Sequence, residues 1–385
     1  MKRRSARNGN VLSWFILNIY FFFICFVFVV GCHRCFHFLS LIGEPFVTPP
    51  ASLFVFKAYP MPKEPKHIIG GHDLDSVASY IESNDIRKVL VLLGAGCSVA
   101  AGIPDFRTPG TGIYYNLDKY NLSDPTDAFS LDLLRENPSI FYNIAKEMDL
   151  WPGKFKPTKV HHFVKLLHDE GRLLCCCTQN IDGLETEAGL PMEKLVEAHG
   201  SFRTASCIEC RERYDIDRNR KEAQEGVISH CEACGGIVKP DVVFFGEQLP
   251  EKFFKVVMED TKEAELLLII GTSLNVHPFA EIPFHVGPHI PRIVLNMERV
   301  GGRMFHFPDD PPYPYPSDDG EEREETASSS SSDGFSPHLH MGGQPDILRD
   351  LLFRQDCQFS VEMLAQAMGL GERLSRKVEE FEGHC

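Results

Sequence analysis

Apolar positions in this chain group into two alternating patterns. Val89-Leu90-Val91-Leu92-Leu93 is an unbroken apolar run closed by Gly94, which predicts a strand buried on both faces. Leu173-Leu174-Cys175-Cys176-Cys177, Leu266-Leu267-Leu268-Ile269-Ile270 and Ile293-Val294-Leu295 repeat it, and each runs into small or polar residues: Thr178-Gln179-Asn180-Ile181-Asp182, Gly271-Thr272-Ser273 and Asn296. Between the runs the spacing is helical. Leu74, Val77, Ala78 and Ile81 follow Asp73 as N-cap; Val160, Phe163, Val164 and Leu167 follow Thr158, with Gly171 as the stop. His161 and His162 on that helix read as surface or core-edge imidazoles. Strands separated by helices predict an α/β fold with a doubly wound, parallel, Rossmann-like sheet. Ile347, Leu348, Leu351 and Leu352, then Val361, Leu364, Met368 and Leu370, read as closing structure that returns to the core.

Two stretches break the pattern. Residues 11–32 form an apolar run of membrane-spanning length preceded by Lys2, Arg3, Arg4 and Arg7, so residues 1–64 read as an apolar leader or anchor. A true anchor would send the cysteines and everything else after residue 32 across the membrane. The competing reading is a cleaved or mis-assigned start, with Met61 just before the first globular pattern. Residues 301–343 are rich in Pro, then acid, then Ser, and are expected to be disordered because they offer little apolar surface to offset ordering entropy. The expected layout is therefore a catalytic domain over 65–300 and 344–372, a module at 200–240 inserted in it, and a C-terminal tail at 373–385.

Composition changes the picture only locally. The net charge is −15, but the nine acids and one base (Arg323) between Asp309 and Gly334 supply −8 of it. The remainder is mildly acidic and carries no basic stripe, which argues against direct nucleic-acid binding. Thirteen cysteines, an odd number without framework density, fit a reducing compartment.

The candidate chemistry lies at the strand ends. Gly94-Ala95-Gly96 after the first strand lets backbone N–H groups approach a pyrophosphate at a helix N-terminus. A dehydrogenase fingerprint would place its third glycine at Val99; here it comes at Gly102, which argues against ordinary hydride transfer. Cys207-x2-Cys210 and Cys231-x2-Cys234, twenty residues apart, form a ribbon-like set for one structural Zn2+ with no open coordination position. His199, between a polar strand end and this array, is a candidate general base. Val242-Val243-Phe244-Phe245-Gly246-Glu247 reads either as core strand or as an exposed edge and apolar tunnel for an extended peptide.

Gly94-Ala95-Gly96-x-Ser98, Gly102-Ile103-Pro104-Asp105-Phe106-Arg107, Thr178-Gln179-Asn180-Ile181-Asp182, His199-Gly200, the four cysteines, Val242–Glu247 and Gly271-Thr272-Ser273-Leu274 together resemble a sirtuin, and Gly112–Leu117 with Lys119, Tyr120 and Pro125 resembles its class I branch. The resemblance implies NAD-dependent protein lysine deacylation: the acyl oxygen attacks C1′ of the nicotinamide ribose, and nicotinamide, O-acyl-ADP-ribose and free lysine result. It implies His199, Asn180 and Asp182 as catalytic residues, His199 as the base. For NAD+ as co-substrate it implies Gly94, Ala95, Gly96, Ser98, Val99, Asp105, Phe106 and Arg107 around the phosphates and nicotinamide end. Gln179, Asn180, Ile181 and Asp182 would line the ribose and nicotinamide pocket. Gly271, Thr272, Ser273, Asn296, Met297 and Glu298 would meet phosphate or ribose, and Cys357 the adenine. Val242, Phe244, Phe245, Gly246 and Glu247 would contact substrate. Implied partners are acylated-lysine proteins or peptides, histones or cytosolic proteins among them, in cytoplasm or nucleus. A membrane or organelle enters only if residues 11–32 are an anchor or targeting segment. Mono-ADP-ribosyl transfer at the same site and non-catalytic binding of NAD or acyl-lysine stand as alternatives. The chain departs from the family at Gln355, where glycine is usual, and by the insertion that separates Asn296 from Cys357.

Overall fold

A computed structural model describes residues 66–105, 110, 112, 113, 117, 119–309 and 347–382. The leader or anchor reading of 1–64 lies outside them, as does most of the 301–343 insertion. Among the described residues no helix is long and apolar enough to cross a membrane.

The predicted runs become strands β1 (Val89–Leu93), β2 (Leu173–Thr178), β7 (Leu266–Ile270) and β8 (Arg292–Asn296). Two strands not read from the sequence join them, β3 (Leu195–Glu197) and β9 (Asp350–Arg354), in a six-stranded parallel sheet of order β9-β8-β7-β1-β2-β3. Helices α1 (Leu74–Ser83), α2 (Pro138–Met148), α3 (Lys159–Asp169), α4 (Leu184–Glu187), α6 (Cys357–Ala367) and α7 (Gly371–Glu382) accompany it. Both predicted caps form: the Asp73 carboxylate accepts from Ser76 N–H at 2.7 Å, and Thr158 N–H donates to His161 Nδ1 at 3.0 Å. His161 and His162 are buried rather than at the surface.

The sheet separates two cores, which explains the unbroken apolar runs. Val89, Val91, Leu93 and Cys176 face α1, α3 and α6; Leu90, Leu92, Cys175 and Cys177 face Phe253, Phe279 and Phe305. At the β8–β9 edge, Arg292 donates to both oxygens of Asp350 at 2.7 Å and to the carbonyls of Pro283 and Met304, all beneath the surface. A charge taken out of water needs partners at this density.

Between β3 and β7 the chain forms an antiparallel sheet of β4 (Gly200–Cys207), β5 (Arg213–Tyr214) and β6 (Val238–Val242), ordered β5-β4-β6, with α5 (Ile216–Gln224) beside it. Phe129, Phe141 and Phe244 form a separate core under this module, the Phe141 and Phe244 centroids 4.9 Å apart.

Two boundaries need correction. Residues 301–309 belong to the packed structure, because Phe305 and Phe307 supply the burial that the following tract lacks; their rings stack at 5.5 Å. The expected tail at 373–385 is helical as far as Glu382, with Leu374 buried against the first core.

Candidate active site

The sheet order reverses between β7 and β1, so the loops leaving these strands diverge and open a crevice at their carboxyl ends. Gly94 N–H donates to Ile270 O at 3.1 Å and Gly96 N–H to Gly271 O at 2.8 Å. A Cβ at Gly94 would stand 2.5 Å from Thr272 Cβ, and one at Gly96 would stand 2.9 Å from Gly271 O. The glycines thus let two loops touch, besides leaving a bare backbone toward the crevice. Two short 3-10 turns, Ala95–Cys97 and Val99–Ala101, follow in place of the helix expected there.

The crevice is a cavity of about 740 Å3, a size that suits a cofactor plus part of a substrate. Gly94, Ala95, Gly96, Val99, Asp105, Gln179, Asn180, Ile181, His199, Gly271, Thr272, Ser273, Asn296, Met297, Glu298 and Cys357 all line it, as do Val242, Phe244, Phe245, Gly246 and Glu247. Asn296 and Cys357 therefore meet across the insertion. The reason is register: β9 pairs along β8 with Arg354 opposite Asn296, and α6 starts three residues later. Gln358, next to Cys357, donates to Cys97 O at 2.8 Å and fastens α6 to the first loop.

Ser98 and Asp182 do not line the cavity; they sit behind Asn180. Ser98 Oγ donates to Asp182 Oδ2 at 2.7 Å, and Asn180 Nδ2 lies 3.2 Å from Ser98 Oγ and 3.2 Å from Gly94 O. Phe106 and Arg107 lie outside the described residues. Among the substrate candidates, Phe245 is half exposed, whereas the Phe244 ring is in the core. Glu247 accepts from Phe244 N–H and lies 3.0 Å from Lys239 Nζ, both side chains under a tenth exposed. Lys239 also donates to Val242 O at 2.5 Å and sits 4.6 Å from the Phe244 ring centroid. Phe244 and Glu247 thus brace the loop that carries Phe245 and Gly246.

His199 follows β3, and its Nδ1 lies 3.0 Å from Gln179 O. A carbonyl only accepts, so Nδ1 carries the hydrogen and Nε2 keeps its lone pair. Burial lowers the His199 pKa, against the pull of that carbonyl. The imidazole is therefore neutral and basic near pH 7, the state a general base requires.

The four cysteines meet at the tip of the small sheet. Their Sγ separations include 3.5 Å (Cys207 to Cys234), 3.6 Å (Cys210 to Cys231) and 3.4 Å (Cys210 to Cys234). Four thiolates at ~2.3 Å from one Zn2+ would stand ~3.8 Å apart, so the set fits the ion closely. A Cβ at Gly236 would meet Cys207 Sγ at 2.9 Å, so the second knuckle needs glycine there.

Several site residues were not singled out by sequence. Asp356 caps α6 and lines the cavity; its place before an apolar-periodic run was a usable signal. Phe129, Leu249 and His277 also line it and carried none. Glu185, buried three residues beyond Asp182, stood at helical spacing from it.

The model of the Sir2 family matches residues 94–278. The NAD-dependent protein deacetylase SIR2rp1 of Leishmania major is 51% identical over 346 residues, covering 81% of this chain and 93% of that protein. Its Trypanosoma brucei brucei counterpart is 52% identical over 335 residues, covering 82% and 95%. The NAD-dependent protein deacetylase sirtuin-2 of Danio rerio is 47% identical over 234 residues, covering 60% and 61%.

Proposed function

Because this chain belongs to the Sir2 family and is an NAD-dependent protein deacetylase that carries a structural zinc site, we propose that His199 is its general base and that Asn180, held by Ser98 and Asp182, orients the nicotinamide ribose. NAD supplies the ribose carbon that accepts the acyl oxygen as nicotinamide leaves. The bare Nε2 of His199 takes the proton from a ribose hydroxyl, while the Gln179 carbonyl keeps the ring in that tautomer. Gln179 donates to Thr272 Oγ1 at 2.6 Å and ties the β2 and β7 loops together. Gly94–Gly96, Thr272 and Ser273 line the phosphate end, and Asn296, Glu298 and Cys357 the adenosine end. Val242, Phe245 and Gly246 line the acyl-lysine side, with Phe244 and Glu247 behind them.

The proposed substrates are acetylated lysines of histones or other cytoplasmic or nuclear proteins. The nine described cysteines are all free, the state that a reducing compartment maintains. The observation that carries the mechanism is the fixed tautomer of His199 on the same cavity as the glycine loop.

The test is incubation with NAD and an acetylated peptide, measuring nicotinamide and deacetylated peptide together. We expect His199→Ala to lower turnover by at least ~100-fold, the lower range for a lost general base, with zinc content and melting temperature unchanged. Retained turnover, or loss of folding, would remove His199 from the mechanism. Nicotinamide release without deacetylated peptide would indicate ADP-ribosyl transfer.

A further inference from the structure

Behind the cofactor cavity lies a group of buried acids that the reaction as described does not use. The carboxyl of Glu185 on α4 is fully buried, and neither oxygen has a hydrogen bond of good geometry. One oxygen of Glu185, one of Asp182 and a ring nitrogen of His161 lie within 4.8 Å of one another. These atoms come from three segments: α4, the loop after β2, and α3. Of the two carboxyls only Asp182 has such hydrogen bonds, from the Ser98 hydroxyl at 2.7 Å and from Leu184 N–H at 3.0 Å.

The group does not suit a metal. Nδ1 of His161 accepts from Thr158 N–H at 3.0 Å, so the hydrogen of the neutral ring is on Nε2, which then has no lone pair to give. It suits a shared proton instead. Two buried carboxyls this close resist ionising together, and Asp182 holds the hydrogen bonds that favour the charge, so near neutral pH Glu185 keeps the proton.

We propose that Glu185 is a positioning residue for the reaction: packed behind Asp182, it fixes how that carboxylate holds Ser98, and through Ser98 the Asn180 amide at the cofactor cavity. The proposal rests on the site reading given above. With Glu185 neutral, Asp182 is the acceptor, the Ser98 hydrogen points to it, and the Ser98 lone pair faces Asn180 Nδ2 at 3.2 Å. If Glu185 loses its proton, a second charge sits beside Asp182 and this order is disturbed. Burial, with Asp182 beside it, pushes Glu185 up to about 8, so the disturbance falls on the alkaline side of neutrality.

Burial moves three of the other groups facing Glu185 out of that range. Burial lowers His161 on α3 to about 3 and raises Cys97 and Cys176 well above the usual thiol range. Glu197 on β3 is paired with Arg203, and Thr178 on β2 is a hydroxyl. Among the cavity residues His199 is shifted downward, away from the window.

The experiment is the pH dependence of kcat/KM for NAD, at saturating acetylated peptide, between pH 7 and pH 9.5. For the parent protein we expect a fall of at least ten-fold. Glu185→Gln cannot ionise, and its ratio between the two pH values should drop below two whatever its absolute rate. Glu185→Leu, which removes the polar contact, should raise KM for NAD several-fold at pH 7, with the Gln variant recovering most of the loss. A flat parent profile overturns the proposal without any variant. So does a Glu185→Gln enzyme that keeps the parent's alkaline fall. Should the protein release no nicotinamide at any pH, the deacetylase mechanism fails by itself. The NAD-induced rise in melting temperature, measured at the same two pH values, then decides the role of Glu185 by the same ratio.

Discussion

Lys239 and Glu247 offer a quantitative test of whether the Val242–Glu247 segment is braced from behind or binds substrate along its whole length. The pair is 3.0 Å apart with both side chains under a tenth exposed, and Lys239 also reaches Val242 O. Replacing Glu247 by Gln keeps shape and a hydrogen-bonding group but leaves the ammonium without its counter-charge. Breaking a buried pair from one side costs about 3–5 kcal/mol. The protein has an escape, which is to deprotonate the lysine. From an unfolded value near 10.4, neutralising it at pH 7 costs ~4.6 kcal/mol, and at pH 9 only ~1.9 kcal/mol. The sign follows from linkage. Burial already lowers Lys239 in the parent, with Glu247 opposing; removing Glu247 lowers it further, so the folded variant binds fewer protons than the unfolded chain and gains stability as pH rises. Urea unfolding of Glu247→Gln should therefore show a loss of ~3–5 kcal/mol at pH 7 that shrinks below ~2 kcal/mol at pH 9. The double variant Lys239→Met, Glu247→Gln should recover most of the loss at both pH values. A single variant within ~1 kcal/mol of the parent at pH 7, or a loss that grows with pH, refutes the reasoning. Should the folded variant lose more than ~100-fold in kcat/KM for peptide, Glu247 returns to the substrate contacts.

Cys231→Ser should lower zinc content and melting temperature together, because tetrahedral thiolate zinc contributes folding energy directly; a zinc-free parent, or a variant that melts like it, removes the metal reading. Among the described residues lining the cavity there is no Lys or Arg, while Val242 and Phe245 flank the side proposed for the acyl-lysine. A succinyl carboxylate would be desolvated there without a partner, so kcat/KM for acetyl-lysine peptide should exceed that for the succinyl peptide by at least ~100-fold, about 2.7 kcal/mol. Comparable rates would mean that a basic side chain reaches the pocket.

The parallel sheet was legible because strands buried on both faces leave continuous apolar runs, and Val89–Leu93 and Leu266–Ile270 are bounded as those runs predict. Edge strands β3 and β9 were not, since three residues at Leu195–Glu197 and a run broken by Arg349 and Asp350 carry no such signature. The zinc thiols were legible because residue type and spacing dictate them, and the loop glycines and His199 were legible as residues that reach the cavity. Depth was not legible. Ser98 and Asp182 are as polar as Asn180, yet only Asn180 reaches the cavity, because which side of a loop faces inward is set by packing from α3 and α4. The same blindness hid Glu185, whose burial depends on neighbours from three elements, and it hid the bracing that Phe244 and Glu247 give the loop whose cavity they also line.

The edge pair Arg292–Asp350 has a bearing on how the chain is made. Arg292 leaves the ribosome well before Asp350, and at ~5–20 residues per second the intervening chain takes several seconds to emerge. During that interval β8 is an unpaired sheet border whose cation lacks its counter-ion, and Cys357 is not yet beside Asn296. The cavity therefore lacks the wall formed by Asp356 and Cys357 until β9 docks and α6 follows it.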